Sequence, residues 1–133
     1  MSGGEQPDAD IGVRVVIVDD QPPFRRAAAA VVARTSGFRV VGEGASGEQA
    51  IDLSRELRPD LILLDIQMPG IGGIAAARTI TAEATATVLL CSTHPRDDLE
   101  LDPGMPFLAK EDLTSVNLQE IWVRSRSEPG KRR

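Results

Sequence analysis

The feature that most constrains the fold is a set of short, nearly continuous aliphatic runs. VRVVIV (13–18), LILLD (61–65) and TVLLCS (87–92) consist mainly of Val, Leu and Ile, without alternation between apolar and polar residues. A strand with one face in solvent would alternate, whereas a strand covered on both faces can be apolar throughout. The runs therefore predict strands buried at the centre of a parallel sheet.

Helical signals separate these runs. Apolar residues at helical spacing extend from Phe24 to Val32, which predicts a first helix. Ser46 with Gln49 three residues later has the pattern of a capping box, and it predicts a second helix that ends at Leu57. Strands that alternate with helices in this way are typical of an α/β protein.

Weaker patterns complete the predicted fold. They indicate strands at 38–44 and 107–110 and helices at 72–84 and 114–125. We expect one doubly wound sheet of five parallel strands in the flavodoxin-like order 2-1-3-4-5, with helices on both faces.

Charge and composition bound the function classes. The formal net charge of −5 argues against a nucleic-acid surface and so against DNA binding by this chain. The acidic N-terminus does not resemble a secretory signal and no apolar run is long enough to span a bilayer, which predicts a cytoplasmic protein without a membrane partner. We expect residues 1–12 to be a disordered tail, 13–125 one domain and 126–133 a basic tail.

Polar residues end four of the five predicted strands. Asp19 and Asp20 follow the first strand, Asp65 ends the third, Ser92 the fourth and Lys110 the fifth. Open parallel sheets bind their ligands at the carboxyl ends of the strands, and in the expected order the first and third strands are neighbours. The three aspartates should therefore converge.

Three converging carboxylates call for a cation. Two unit charges ~4 Å apart repel by about 4 kcal/mol at an effective dielectric near 20, and Lys110 can offset only part of that repulsion. A hard divalent ion with oxygen ligands is the simplest solution, and Mg²⁺ keeps waters that a phosphate oxygen can replace. A metal, a lysine and a hydroxyl around one carboxylate form a receptor for a phosphoryl group, with Asp65 as the nucleophile.

At this point the chain resembles a known family, the response-regulator receiver domain. The resemblance covers about 13–122 and rests on four stretches: VVIVDDQPPFRRA, LILLDIQMPGIGG, LLCSTH and FLAK. It is closest to receivers that carry a helix-turn-helix output domain, although we expect no output domain after Trp122.

The resemblance implies a role for each site residue. Asp65 would accept the phosphoryl group, Asp20 would ligate Mg²⁺ directly and Asp19 partly through water. Gln67 would contribute its backbone carbonyl to the metal. Lys110 would contact the phosphoryl group.

Two further residues would change position when Asp65 is phosphorylated. By the same resemblance Ser92 would be the switch hydroxyl, with Thr93 as the alternative. Phe107 would be the aromatic that rotates, with ordinary strand packing as the alternative.

The resemblance also implies partners and an activity class. The phosphoryl donor would be a histidine kinase or a phosphotransfer protein, and the output partner an effector protein or a second copy of the chain. The chain would not be an enzyme beyond Mg²⁺-dependent self-phosphorylation and self-dephosphorylation. Between Ser92 and Lys110 it departs from the family, because prolines are frequent and apolar anchors few. We therefore expect a shortened helix 4 and an altered output face.

Other functions remain alternatives. The main one is an atypical receiver that is not phosphorylated and acts as a protein-interaction module. A flavodoxin-like FMN carrier would need a Ser/Thr/Gly loop after the first strand, where DDQPP stands instead. A haloacid-dehalogenase-type phosphatase would need a second acid at Gln67.

Overall fold

A computed structural model describes residues 12–127. Its strands and helices follow one another in the predicted alternation. In chain order they are β1 (Val13–Val18), α1 (Pro22–Arg34), β2 (Phe38–Gly44), α2 (Gly47–Leu57), β3 (Leu61–Asp65), α3 (Gly72–Glu83), β4 (Thr87–Ser92), a 3-10 turn (Arg96–Asp98), β5 (Phe107–Ala109), a second 3-10 turn (Lys110–Asp112) and α4 (Ser115–Ser127).

The sheet has the predicted topology. Its five strands are all parallel and lie in the order β2-β1-β3-β4-β5. The reversal of direction in the winding falls between β1 and β3, so the ends of these two strands lie side by side. The prediction of a doubly wound, flavodoxin-like α/β fold is confirmed.

Helices cover both faces of the sheet, and each face has its own core. Alternate residues of the central strands, such as Ile17 and Leu63, pack with buried residues of α1 and α4. The residues between them, such as Val18 and Leu64, pack with α2 and α3. Burial on both faces explains why these strands read as continuous aliphatic runs.

The helix starts follow the local sequence. Pro22 and Pro23 occupy the first turn of α1, where no intrahelical N–H bond is lost, so α1 begins two residues before the predicted stripe. Ser46 caps α2, since its Oγ accepts a hydrogen bond from the Gln49 backbone N–H at 3.1 Å. Gln49 Oε1 in turn accepts from the Ala45 N–H at 2.6 Å, so the reciprocal bond reaches one residue before the N-cap.

Residues 93–106 connect β4 to β5 and form the β4–β5 segment. The expected shortening of its helix is confirmed and goes further than expected: within residues 12–127 the segment holds only the 3-10 turn Arg96–Asp98. Pro95 precedes this turn and Leu99 is already extended, with φ −120° and ψ 147°. Leu99, Leu101 and Met105 pack against the α2–α3 side of the core, which anchors the segment without a helix.

The predicted tails fall mostly outside the described residues. Residues 1–11 and 128–133 lie beyond them, while Arg126 and Ser127 belong to α4. Across residues 12–127, none of the helices is both long and apolar enough to cross a membrane.

Candidate functional site

Three carboxylates converge at the carboxyl edge of the sheet. One ligand oxygen each from Asp19, Asp20 and Asp65 lies within 4.8 Å of the other two. Asp19 and Asp65 are buried, at 0% and 5% exposure, while Asp20 is partly exposed. The sheet order produces this convergence, because β1 and β3 are hydrogen-bonded neighbours. The three residues singled out in the sequence are thus brought together.

Lys110 reaches the same cluster from the edge of the sheet. It directly follows β5, which is separated from β3 by β4. Its Nζ lies 2.7 Å from Asp19 Oδ2 and 3.3 Å from Asp65 Oδ1, and 12% of its side chain is exposed. The long aliphatic stem therefore spans β4 and delivers a positive charge to both buried aspartates.

The titration behaviour of the site reflects burial and crowding. Burial, followed by the Asp19 charge, raises the pKa of Asp65, although Lys110 and a hydrogen bond from the Gln67 backbone lower it in part. For Lys110 burial lowers the pKa, but the hydrogen bonds and charges of Asp19 and Asp65 together outweigh burial and raise it. The carboxylate of Asp20 lies beside those of Asp19 and Asp65. The single positive charge of Lys110 therefore does not balance the negative charge of the cluster.

The oxygens of Asp19 show how a cation would fit. Oδ1 accepts a hydrogen bond from the Gln21 backbone N–H at 2.8 Å, which fixes the carboxylate. Oδ2 is buried and forms an ion pair with the Lys110 ammonium, 2.7 Å away. A buried carboxylate oxygen in this state, next to two further carboxylates, fits a hard cation with oxygen ligands such as Mg²⁺.

The loop after Asp65 is shaped by glycines. At Gly73, in the first turn of α3, a Cβ atom would collide with the carbonyl oxygen of Asp65. Gly70 has a φ of +83°, a conformation that favours glycine. Gln67 is exposed in this loop. The hydrogen bond from its backbone N–H lowers the pKa of Asp65. That the Gln67 carbonyl oxygen ligates a metal stays a prediction.

Ser92 ends β4 and Phe107 begins β5, the two strands that lie on the side of β3 away from β1. Ser92 is fully buried, and its Oγ accepts a hydrogen bond from the His94 backbone N–H at 2.9 Å. Thr93, the alternative switch residue, is exposed. Phe107 is partly buried against the α2–α3 side of the core, with the Arg96 guanidinium 6.0 Å from its ring centroid.

Two side chains that sequence reasoning did not assign to the site also contact it. The Phe24 ring centroid lies 4.5 Å from Lys110 Nζ. Arg25 Nη1 donates to the Asp19 carbonyl oxygen at 2.6 Å, and Arg25 Nε is 3.5 Å from Glu43 Oε1. The available signal was the double proline of DDQPPF, which starts the helix early and places both residues in its first turns, next to the acidic pair.

The neighbouring cysteine offers no competing chemistry. Cys91 is paired with Asp65 in the register of β3 and β4 and is buried. Burial raises the pKa of its thiol to about 12. Because the thiolate is the reactive form, this thiol is inert near neutral pH.

Comparison with known proteins decides the family. The profile of the response regulator receiver domain matches residues 15–102. The chain belongs to this family. The matched range includes the three aspartates and Ser92 and ends before β5, so the placement of Phe107 and Lys110 rests on the structure.

Individual relatives agree with the family assignment. The positive alginate biosynthesis regulatory protein of Pseudomonas aeruginosa is 43% identical over 90 residues, which are 66% of this chain and 36% of that protein. The response regulator GacA of Pseudomonas viridiflava is 43% identical over 87 residues, 62% of this chain and 41% of that protein. This receiver chain therefore spans well under half the length of these relatives.

Solved receiver structures share the fold. The signal receiver domain of the response regulator NarL from Mycobacterium tuberculosis superposes with a TM-score of 0.73 at 29% identity, covering 88% of this chain and 98% of that one. The response regulator domain of CheB from Thermotoga maritima has a TM-score of 0.69 at 24% identity, covering 89% and 99%, which supports the fold alone.

Proposed function

We propose that this receiver domain is a phosphoacceptor in a two-component phosphorelay, with Asp65 as the residue that takes the phosphoryl group. The observation that carries the proposal is the setting of Asp65. Its carboxylate is nearly buried at the end of β3, 3.3 Å from Lys110 Nζ and within 4.8 Å of ligand oxygens from Asp19 and Asp20. An anion in a rigid, crowded, partly desolvated position is suited to receive a group whose charge the neighbours can stabilise.

The donor would be a phosphohistidine on a histidine kinase or a phosphotransfer protein. An Asp65 carboxylate oxygen forms a bond to phosphorus as the phosphorus–nitrogen bond of the donor breaks. The electron pair of that bond stays on the imidazole nitrogen. Lys110 Nζ, already 3.3 Å from Asp65 Oδ1, is placed to bind an oxygen of the transferred group.

Asp19, Asp20 and Asp65 are the residues that would hold a Mg²⁺ ion, with the Gln67 carbonyl as a further candidate. When bound, the ion supplies positive charge that screens the carboxylates and stabilises the phosphoryl oxygens. The protein's part is to fix the ligands. Asp19 is fixed at its carboxylate by the Gln21 N–H and at its carbonyl by Arg25.

Output would follow from Ser92 and the β4–β5 segment. Phosphorylation replaces one carboxylate charge by about −1.5 to −2 and adds acceptor oxygens. The Ser92 hydroxyl already accepts from the His94 N–H, and its own hydrogen can be donated to a phosphoryl oxygen. A shift of Ser92 would move the segment that begins at Thr93. Phe107 lines a cavity of about 180 Å³ together with Pro106 and Ile121, which offers space for its ring to reorient.

The second candidate function is a protein-interaction module that keeps the receiver fold without phosphorylation. The observation that favours it is the absence of an α-helix from the β4–β5 segment, which changes the surface next to β5. In either case the output partner would be an effector protein or a second copy of the chain.

Phosphorylation with a small donor tests the proposal. Intact mass is measured after incubation with acetyl phosphate and Mg²⁺ for the wild type, Asp65→Asn and Asp52→Asn, in which an exposed aspartate of α2 is changed. We expect a gain of one phosphoryl group in the wild type and in Asp52→Asn, dependent on Mg²⁺ and absent in Asp65→Asn. No gain, together with no binding of beryllofluoride, would favour the interaction module.

A further inference from the structure

The ammonium group of Lys110 is shared between two carboxylates and one aromatic face. Besides its contacts with Asp19 and Asp65, Nζ lies 4.5 Å from the centroid of the Phe24 ring. The negative face of an aromatic ring attracts a cation, and the attraction grows when water is excluded. With 12% of the lysine side chain exposed, much of the water around this contact is excluded.

We propose that Phe24 is a positioning residue for Lys110. Its ring holds the ammonium at the phosphoacceptor, so that the lysine meets an incoming phosphoryl group in the required place. The inference rests on the proposed function of Asp65, and it assigns to this reaction a residue that the sequence pattern placed only among the apolar residues at helical spacing in the first helix.

Lys110 needs such support because of where it originates. It follows the edge strand β5, and its stem must pass β4 before it reaches Asp19 and Asp65. A lysine side chain has four rotatable carbon–carbon bonds, and its ammonium group does not impose a direction as a guanidinium does. Once a phosphoryl group occupies Asp65, the Asp65 contact of the ammonium must rearrange, whereas a contact with the ring can persist.

Phe24 itself is well anchored. It lies in the first turn of α1, directly after Pro22 and Pro23, and its backbone N–H donates to the Gln21 carbonyl oxygen at 3.1 Å. Its side chain packs against the α1–α4 side of the core. The backbone of Phe24 is therefore fixed by the first turn of α1 and its ring by the core. The ring thus offers a fixed surface to the flexible Lys110 side chain.

The test compares two phenylalanines of the same core. Phe24→Leu removes the aromatic face and keeps an apolar side chain, and Phe24→Trp restores a face. Phe38→Leu is the matched control, because Phe38 packs against the same core cluster and contacts Trp122 rather than Lys110. Binding of beryllofluoride is titrated at saturating Mg²⁺, and Mg²⁺ binding alone is titrated separately.

We expect Phe24→Leu to weaken beryllofluoride binding by about three- to thirtyfold, the range that a cation–π contact supports. Mg²⁺ binding should change by less than about twofold, since the metal ligands are untouched. Phe24→Trp should bind like the wild type, and Phe38→Leu should lose thermal stability without this loss of affinity. In a Lys110→Gln background, Phe24→Leu should have no further effect, because the cation that it positions is gone.

A spectroscopic readout is independent of phosphorylation. The ring current of Phe24 should shift the NMR signals of the Lys110 ε-methylene protons upfield in the wild type, and the shift should disappear in Phe24→Leu. Equal losses of affinity in Phe24→Leu and Phe38→Leu, or an undiminished effect of Phe24→Leu in the Lys110→Gln background, would overturn the role of Phe24 alone. Failure of the wild type to bind beryllofluoride at all would overturn the phosphoacceptor proposal, and with it the purpose assigned to Phe24.

Discussion

Arg78 of α3 and Asp102 of the β4–β5 segment form a bidentate ion pair, with Nε 2.9 Å from Oδ2 and Nη2 2.8 Å from Oδ1. A second contact closes the segment internally, since Arg96 Nη1 donates to the Met105 carbonyl oxygen at 3.3 Å. In place of a helix, the segment is thus held by surface polar contacts above the apolar packing of Leu99. Such contacts are individually weak and leave local opening easy.

The first prediction is that Asp102→Asn loosens this segment without unfolding the protein. Amide hydrogen exchange in residues 96–106 should become several-fold faster, because the bidentate contact is lost. The midpoint of thermal unfolding should change little, since an exposed ion pair adds little to global stability. Hydrogen exchange followed by mass spectrometry, alongside a thermal melt, checks both parts.

The control is the other bidentate pair of α3. Arg55 of α2 contacts Glu83 with Nε–Oε1 3.0 Å and Nη2–Oε2 2.6 Å, so Glu83→Gln breaks an equivalent contact elsewhere. Exchange in residues 96–106 should stay at the wild-type rate in this variant. Equal acceleration in both variants would mean that general loosening of α3, and not the Arg78 contact, controls the segment.

Much of the fold could be predicted from the sequence because strands that are buried on both faces appear there as continuous aliphatic runs. Val16, Ile17, Leu63 and Leu64 are all fully or nearly fully buried, and a polar side chain at such a position would have to be buried at a cost in free energy. The β4–β5 segment was harder to predict. Prolines indicate that a helix is interrupted, but the Arg78–Asp102 contact joins positions 24 residues apart and has no local signature.

Most of the candidate site could also be predicted, in this case because of the topology of the sheet. Asp19, Asp65 and Lys110 stand at strand ends, and parallel strands bring such ends to one edge. Phe24 was missed because an apolar residue on a helical stripe is explained equally well by core packing. Only the three-dimensional path of the Lys110 side chain distinguishes a ring that packs from a ring that also holds a cation.

The second prediction concerns Gly73. Alanine inside a helix is normally more stable than glycine by about 1 kcal/mol, but at Gly73 the added Cβ would collide with the Asp65 carbonyl oxygen. We expect Gly73→Ala to destabilise the protein by about 1–3 kcal/mol, as overpacking does, and to weaken Mg²⁺ binding by displacing Asp65. Chemical denaturation and a Mg²⁺ titration measure the two effects.

Gly37→Ala is the matched control for that experiment. Gly37 has a φ of +84° and open space around it, so alanine there is strained but touches no part of the site. It should cost stability and leave Mg²⁺ binding unchanged. A Gly73→Ala protein with wild-type stability and wild-type Mg²⁺ affinity would show that the loop relaxes around the new methyl group.

The third prediction tests the cap of α2. Ser46→Ala removes the acceptor for the Gln49 N–H and should lower the free energy of unfolding by about 1 kcal/mol. Ser46→Asp keeps an acceptor at the N-cap and should stay close to the wild type. Urea denaturation compares the three proteins, and a loss of the same size in both variants would rule out capping as the cause.

The last prediction uses pH to test the charge at Asp65. Burial and the Asp19 charge raise the pKa of Asp65, so the folded, metal-free protein holds a proton there more tightly than the unfolded chain does. The stabilisation that this proton gives the folded protein is complete below the pKa of an aspartate in the unfolded chain, about 4. It is lost as pH rises through the pKa of Asp65 in the folded protein. Asp65→Asn resembles the protonated form, so in EDTA it should melt above the wild type at pH 7, and the gap should close as pH falls toward 4. Added Mg²⁺ should stabilise only the wild type and narrow or reverse the gap. Thermal melts between pH 4 and 8 would contradict this if the metal-free wild type were the more stable protein at pH 7.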